Sequence, residues 1–467
     1  MAETTMTKIQ GLAKQRGFIY QSSEIYGGFA AVYDYGPYGV ELANSIKREW
    51  WKEMVQFHEN IVGLDSAIFM DPRIWLASGH VSGFSDPLIE CKNCNTRLRA
   101  DQLLEESGVE ADEKMSEEVI NKLLSDNKTK LKCPSCGKNT FSEVKKFNLL
   151  VKSNLGDFND NWENPVYLRG ETCQGIYVNF KNVLDSIRVQ IPFGIAQIGK
   201  AFRNEITARQ FIFRTREFEQ MEMQYFVSPK EANEYYQEWK DWTFDWYKNL
   251  VYRPENLRLR QHEKDELAHY AKEAWDVEYK TPFDDWSEFA GIHNRGDWDL
   301  SRHGKYSNVD MSYTDEETKE KFIPYVDEVS MGADRAVLLF LIDAYDEVET
   351  RSGGENAVHE TEIVLRLHKN LAPIKVAILP LSKKEELSQP AKEIYHDLQK
   401  YFMCQYDETA SIGKRYRRQD EIGTPYCVTV DFESLEDKKV TVRDRDTMKQ
   451  ERILISELTG WLKDKLD

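Results

Sequence analysis

Nowhere is the chain apolar for long enough to span a bilayer. Its densest apolar run, 337–342, sits between Arg335 and Asp343, whereas a spanning helix needs about 20 apolar residues. Cysteine is scarce: the 467 residues contain 7, an odd number in a long chain and not the disulfide framework of a small secreted domain. The N-terminal segment has neither the apolar stretch nor the small-residue cleavage site of a secretory signal, and its single Lys8 does not make a targeting peptide. These absences give the expectation of a cytosolic protein with no membrane segment. Positive charge is also short, with 62 Lys plus Arg against 80 Asp plus Glu and a formal net charge of -18. That balance opposes indiscriminate binding of nucleic acid, whose affinity comes mainly from neutralised phosphates, but it leaves room for a local basic patch. Internal repeats and long low-complexity runs are missing too.

What is present is ample core material, 41% hydrophobic and 12% aromatic residues, in a length that corresponds to roughly three domains. The first segment, 1–88, passes from glycine-rich turns into a helical stripe at Val40, Ala43, Ile46, Trp50, Met54 and Phe57, intervals that share one helix face. A short apolar strand over 61–70 then stops at Asp71 and Pro72. Residues 89–147 read as an insertion bounded by two CxxC pairs. Strands are expected at 166–168, 175–180, 196–202 and 217–226 within a segment 148–349, with a helical insertion at about 229–280 whose aromatic stripe (Tyr235, Trp239, Trp242, Trp246) is core packing. Strands this close together favour an α+β fold with an antiparallel sheet over a doubly wound one. A composition break near Gly353 marks a linker, 350–372, and 373–467 reads as a compact α/β domain that closes with a helix over 453–466.

The strongest constellation is the strand that ends in Phe202-Arg203-Asn204-Glu205, a polar loop with Arg209 and Arg214, and the return strand from Glu217 to Tyr225. Period two puts Gly199, Ala201, Arg203 and Glu205 on one face. On the return strand Met221, Met223 and Tyr225 lie opposite Phe218, Gln220, Glu222 and Gln224. Such a hairpin has one face for a core and one for a ligand: small residues let a flat group approach, Arg203 can neutralise a phosphate, and Phe218 can stack on a base. A second constellation runs from Glu328 and Ser330 through Gly332 to Arg335 in the first turn of a helix, where its charge opposes the helix dipole unless an anion lies nearby. A third is Arg169-Gly170-Glu171-Thr172-Cys173-Gln174, with Glu171 ahead of an apolar strand.

Together these pieces resemble the three signature motifs of class II aminoacyl-tRNA synthetases: the helix and strand up to Pro72, the Arg203 hairpin, and the Gly332–Arg335 turn and helix. Tyr35-Gly36-Pro37, Ser78-Gly79-His80, the Arg169–Gln174 segment and Glu328-x-Ser330 make the resemblance closest to the dimeric α2 glycyl-tRNA synthetase family. The family's pattern has Pro, Ala and Pro where Gly170, Cys173 and Val329 stand, which touches backbone rigidity and leaves the charged positions intact. The resemblance implies a glycine–tRNA ligase with a class II catalytic domain and a C-terminal anticodon-binding domain, using ATP with Mg2+ and acting on glycine and tRNA(Gly) as a homodimer through the first-motif helix and its exposed aromatics.

It implies catalytic roles for Arg203, Glu205 and Arg335. Arg203 would hold the α-phosphate, Phe218 and Arg335 would sandwich adenine, and Asn204, Glu205, Phe213, Arg214, Glu288, Phe289 and Gly332 would complete the ATP site. Glycine would be met by Arg99, Glu171, Phe218, Gln220, Glu222, Arg295, Glu328 and Ser330, and Glu328 would help bind Mg2+. Clustered carboxylates attract the glycine ammonium and crowd the place where a side chain would begin. Because no standard amino acid is smaller, exclusion by bulk suffices without an editing site. The alternative is a non-catalytic nucleic-acid-binding relative, which could dispense with Arg203, Glu205, Glu328 or Arg335; all four are present.

Cys91, Cys94, Cys133 and Cys136 have the knuckle spacing of a closed, structural Zn2+ site. Cys173, Cys404 and Cys427 read as small core residues. His262, Glu263, Glu266 and His269 mimic a metal-binding helix, but Glu occupies the position where the zincin pattern needs its second histidine. In the last domain Lys414, Arg415, Arg417 and Arg418 with Tyr416 between them form a basic, aromatic-interleaved cluster. The cluster suits RNA phosphates and a stacked base, and the flanking segments resemble the anticodon-binding domain of the same family.

Overall fold

The computed structural model describes residues 4–466 apart from 113–114, 156–165, 207–209, 265, 269–270 and 350–360. Its centre is a sheet of seven strands: β1 (Ile61–Gly63), β2 (Phe193–Phe202), β3 (Glu217–Val227), β4 (Leu257–Gln261), β5 (Glu273–Tyr279), β6 (Ser287–Gly296) and β7 (Tyr325–Gly332). They lie in the order β4-β5-β6-β7-β3-β2-β1, antiparallel except for the β1/β2 pair. This is the antiparallel α+β architecture expected from the strand spacing.

The alternation read from the β2/β3 hairpin determines which face is buried. Met221 and Met223 of β3 and Val329 and Met331 of β7 are buried on the underside, against α4 (Ala232–Leu250) and α5 (Ala333–Ala344). The apolar run 337–342 is the middle of α5 and is enclosed on every side, as expected for a helix without a polar face. Helix α1 (Pro37–Trp51) packs on α5, with Leu42, Ile46 and Trp50 fully buried. Its expected stripe is therefore core: Ala43, Ile46, Trp50 and Met54 are buried, while Val40 and Phe57 are exposed. Trp50 thus cannot serve as the exposed aromatic of a dimer face.

Several expected elements change. The strand expected over 61–70 is β1 plus a separate two-residue strand, Phe69–Met70, in another small sheet. Residues 175–180 are not a strand but part of helix α3 (Cys173–Ile187). The stretch 229–280 is helical only through α4; β4 and β5 follow and extend the central sheet. The linker expected over 350–372 is not structureless throughout, because Thr361–Leu365 pairs antiparallel with Tyr345–Glu349. The composition break itself, Arg209 and His269 lie outside the described residues.

Ahead of the insertion, the short helix α2 (His80–Gly83) leads into a three-stranded sheet, Arg97–Arg99, Ser85–Glu90 and Lys145–Asn148. The insertion has its own core around Leu104, Ile120 and Leu131. The C-terminal sheet comprises β8 (Val376–Pro380), β9 (Cys404–Tyr406), β10 (Tyr426–Val430), β11 (Lys439–Asp444) and β12 (Gln450–Leu454), in the order β9-β8-β10-β11-β12. The closing helix is shorter than expected, Leu458–Leu466, because β12 takes the first residues of that stretch. Helix α6 (Ile412–Asp420) carries the basic cluster.

Candidate active site

The upper face of the central sheet is built by register. Opposite Glu222 of β3 stand Gln197 of β2 and Ser330 of β7, opposite Gln220 stand Gly199 and Gly332, and opposite Glu328 stand Gln224 and His293. Gly199 permits a close approach: a Cβ there would collide with the Arg169 guanidinium. Above this floor lies a cavity of about 330 Å³ with a carboxylate-rich inner end and an arginine-rich mouth.

At the inner end Glu171, Glu222, Ser330, Arg295 and Glu328 line the cavity together. Glu222 is buried and accepts from Gln220 Nε2 at 2.9 Å, Ser330 Oγ at 2.8 Å and the Thr172 hydroxyl. Burial, with Glu328 and Glu171 close by, raises its carboxyl to about 7. Glu171 is treated differently: burial opposes its ionisation, but His80 and Arg295 hold the carboxyl well below the usual range. Two neighbouring carboxylates with opposite shifts point to a functional site, and a cation is the charge they would attract.

Glu328 is surrounded by protein donors, and its carboxylate also lies within 4.8 Å of ligand atoms of Glu222 and Cys173. Arg295 Nη1 lies 3.2 Å from both of its oxygens, Gln224 Nε2 donates at 2.8 Å and His293 Nδ1 lies 3.0 Å away. Its carboxyl, buried but faced by Arg295 and His293, falls to about 2. It is an internal counter-charge, and Arg295 is held in turn by Asp299 at 2.7 Å. Arg99 does not line this cavity: it pairs with Asp86 at 3.1 Å and Asp101 at 2.5 Å in the insertion.

The mouth holds Arg203, Glu205, Phe213, Arg214, Phe218, Glu288, Phe289, Gly332 and Arg335, residues to which the family resemblance gives a part in the ATP site. Asn204 is the exception; its N–H is spent on the Leu149 carbonyl at 2.7 Å and it does not line the cavity. Arg203 sits over the Phe218 ring at 5.3 Å, while Arg335 sits over Phe213 at 4.4 Å and pairs with Glu288 at 3.3 Å. The two arginines thus lie on different phenylalanines, Phe218 and Phe213. Glu205 and Arg214 face each other at 3.9 Å.

Period-two reasoning missed His293, although it lies two residues from Arg295 on β6 and lines the same cavity. Thr172 and Gln174 came to notice only as neighbours of Glu171. Gln174 Nε2 bridges Glu171 at 2.9 Å and Asp299 at 3.3 Å.

Away from the cavity, the four knuckle cysteines converge. Cys91 and Cys136 sulfurs are 3.6 Å apart, as are those of Cys94 and Cys133, and all four lie within 4.8 Å of one another. Tetrahedral Zn–S bonds of about 2.3 Å put sulfurs about 3.8 Å apart, so the residues present fit the ion. A hydrogen bond with Thr96 pulls the Cys94 thiol down to about 6, toward the thiolate that binds metal. The histidine decoy is structural, with His262 Nε2 2.7 Å from Asp276.

The basic cluster on α6 is mostly spoken for. Arg415 is buried and donates to the carbonyls of Pro380, Asp407 and Leu381, at 2.5, 3.1 and 3.2 Å. Arg418 pairs with Asp407 at 2.7 Å, Arg417 lies 3.5 Å from Glu421, and the Tyr416 hydroxyl meets Thr429 at 2.6 Å. Lys414 alone of these is exposed. Arg415 is therefore a brace of the domain, with its guanidinium turned to backbone carbonyls.

Comparison with known proteins places these features. Residues 150–344 match the tRNA synthetase class II core domain (G, H, P, S and T), and residues 375–465 match the anticodon binding domain. The chain is 53% identical to the glycine–tRNA ligase of Acetivibrio thermocellus over 99% of each sequence. It is 52% identical to that of Geobacillus kaustophilus, again over 99% of each. In fold it is similar to the crystal structure of a prolyl-tRNA synthetase from Cryptosporidium parvum, with a TM-score of 0.64 at 16% identity, covering 98% of this chain and 75% of that one. With the core, the C-terminal domain and the full length all matched, the chain belongs to the glycine–tRNA ligase family of class II aminoacyl-tRNA synthetases.

Proposed function

We propose that the cavity activates glycine with ATP and passes the glycyl group to the 3′ end of tRNA(Gly). The observation that carries this reading is the pairing of two ends in one cavity: Glu171, Glu222 and Ser330 where an ammonium would sit, and Arg203 and Arg335 with Phe218 where a nucleotide would sit. In the first step a glycine carboxylate oxygen attacks the α-phosphorus and pyrophosphate leaves. In the second, a terminal ribose hydroxyl attacks the glycyl carbonyl and AMP leaves. No protein nucleophile is needed; positioning and charge stabilisation supply the rate.

Arg203 neutralises the developing charge on the α-phosphate. Arg335 exchanges Phe213 and Glu288 for the incoming nucleotide and, at the first turn of α5, adds its charge near the phosphates. Mg2+ brought in with ATP would screen the charge of the departing pyrophosphate. Glu222 and Glu171 hold the glycine ammonium, and their crowding removes the room a side chain would need. Zn2+ held by Cys91, Cys94, Cys133 and Cys136 supplies a structural cross-link to the insertion. Lys414 is the α6 residue left free to meet tRNA, and a homodimer in the cytosol is the expected working form.

The site assignment is tested with Glu222→Gln. Removing the charge that faces the ammonium should raise the KM for glycine by about a hundredfold, with the KM for ATP within about twofold. Equal losses for both substrates would count against the pocket as assigned.

A further inference from the structure

Three donors converge on one oxygen of Glu171: His80 Nε2 at 3.3 Å, Cys173 Sγ at 3.1 Å and Gln174 Nε2 at 2.9 Å. Together they fix the rotation of the carboxylate and leave its second oxygen for a ligand. Cys173 and Gln174 follow Glu171 directly in the chain. His80 comes from α2, some ninety positions earlier, so it ties Glu171 to a separate part of the fold.

The placement of His80 is itself over-determined. Its Nδ1 lies 2.8 Å from Ser78 Oγ, and its ring meets Trp75 edge-on at 5.3 Å and Phe84 at 5.0 Å. Asn148 Nδ2 donates to the carbonyls of His80 and Val81, at 2.9 and 3.1 Å. Gly79, at φ 87°, makes the reversal that brings the imidazole back toward Glu171.

Phe84, four residues on, faces the other substrate. The Arg203 guanidinium lies 5.1 Å from the Phe84 ring centre and 5.3 Å from that of Phe218, so it is held between two aromatic rings. Arg203 Nε also donates to Gly170 at 3.1 Å. One short element thus touches the carboxylate assigned to the amino acid through His80 and the arginine assigned to the α-phosphate through Phe84.

We propose that His80 and Phe84 are positioning residues of the adenylation step: a strut of two touching rings that sets the distance and angle between Glu171 and Arg203. The proposal rests on the assignment of glycine activation above. Attack on the α-phosphorus needs the reacting atoms about 3–3.5 Å apart and in line, and displacements of about 1 Å cost about a hundredfold in rate. The two binding groups stand on different segments, so their spacing has to be held by something that contacts both. The His80–Phe84 pair does so from outside the cavity, without touching substrate.

The test is glycine-dependent exchange of pyrophosphate into ATP, with glycine and ATP varied separately. His80→Leu should raise the KM for glycine about tenfold with the KM for ATP within about twofold, and His80→Gln, which keeps an N–H donor, should recover most of the loss. Phe84→Leu should lower kcat about tenfold, and Phe84→Tyr should restore it by returning a ring under Arg203. If the leucine variants do not fold, His80→Gln against His80→Asn, whose shorter amide cannot reach Glu171, makes the same comparison. A wild-type protein without exchange would sink the glycine-activation reading. An active wild type with leucine variants equal to it, or with losses in both KM values that Gln and Tyr do not recover, would overturn the strut alone.

Discussion

Glu222 and Glu171 are chemically alike, yet their surroundings drive them apart. Glu222, buried and next to Glu328 and Glu171, is raised to about 7, whereas Glu171 is held well below its ordinary value by His80 and Arg295 despite burial. A carboxyl that must be ionised to bind an ammonium loses affinity as pH falls through its pKa. The kcat/KM for glycine, which reports the free enzyme, should therefore fall about tenfold per pH unit below about pH 7 and level off above it. A profile flat from pH 6 to 8 would show that Glu222 does not face the substrate. Glu222, Gln220 and Phe218 were legible in the sequence because strand alternation assigns them to one face, whereas Ser330 entered the site only through the family resemblance. The internal partners of Arg99, Arg415 and Asn204 were not legible, because nothing in their spacing reveals that Asp86, Asp101 or backbone carbonyls stand beside them.

Elements were legible wherever one period dominated. The β2/β3 hairpin and the β7–α5 turn came out within three residues. Helix α3 did not, because Ile176, Tyr177 and Val178 favour strands locally. Its buried Cys173, Ile176, Tyr177, Phe180 and Val183 follow helical spacing, and packing decides. Strands β4 and β5 were hidden behind α4 because their alternation is carried by charged residues, with Arg260 paired to Glu278 at 2.9 Å and to Asp276 at 3.3 Å across the two strands. At this scale the α6 assignment is open to a paired test. Arg415→Ala, which strips three carbonyls of a charged donor, should lower the stability of the C-terminal domain by about 2–4 kcal/mol in denaturant unfolding. Lys414→Ala should leave stability unchanged and weaken tRNA binding. The reverse pattern would return Arg415 to the RNA surface. The insertion offers a second test: chelation should remove one zinc per chain and raise amide exchange within 89–147, leaving β8–β12 protected. Chelation that removes no zinc, or leaves 89–147 unaffected, would rule out the structural ion.

For the whole molecule, domain contacts bear on how the formal charge of -18 reads. The C-terminal domain is joined to the catalytic part by an Arg16–Glu421 ion pair and by Gln405 donating to the Tyr38 hydroxyl at 2.7 Å, and the segment leading into it by Asn370 donating to Glu49 at 3.0 Å. Much of the positive charge is spent in internal pairs of this kind, so a basic cluster in the sequence overstates the surface available to RNA. The excess acid favours a fitted partner over bulk RNA. The cavity itself carries the proposal that carboxylates at one end and arginines at the other select and activate the smallest amino acid. Pyrophosphate exchange into ATP with purified protein and Mg2+, run with glycine and with L-alanine at equal concentration, tests it most directly. The account predicts robust exchange with glycine and at least about a hundredfold less with alanine; no exchange with glycine, or equal exchange with both, would contradict it.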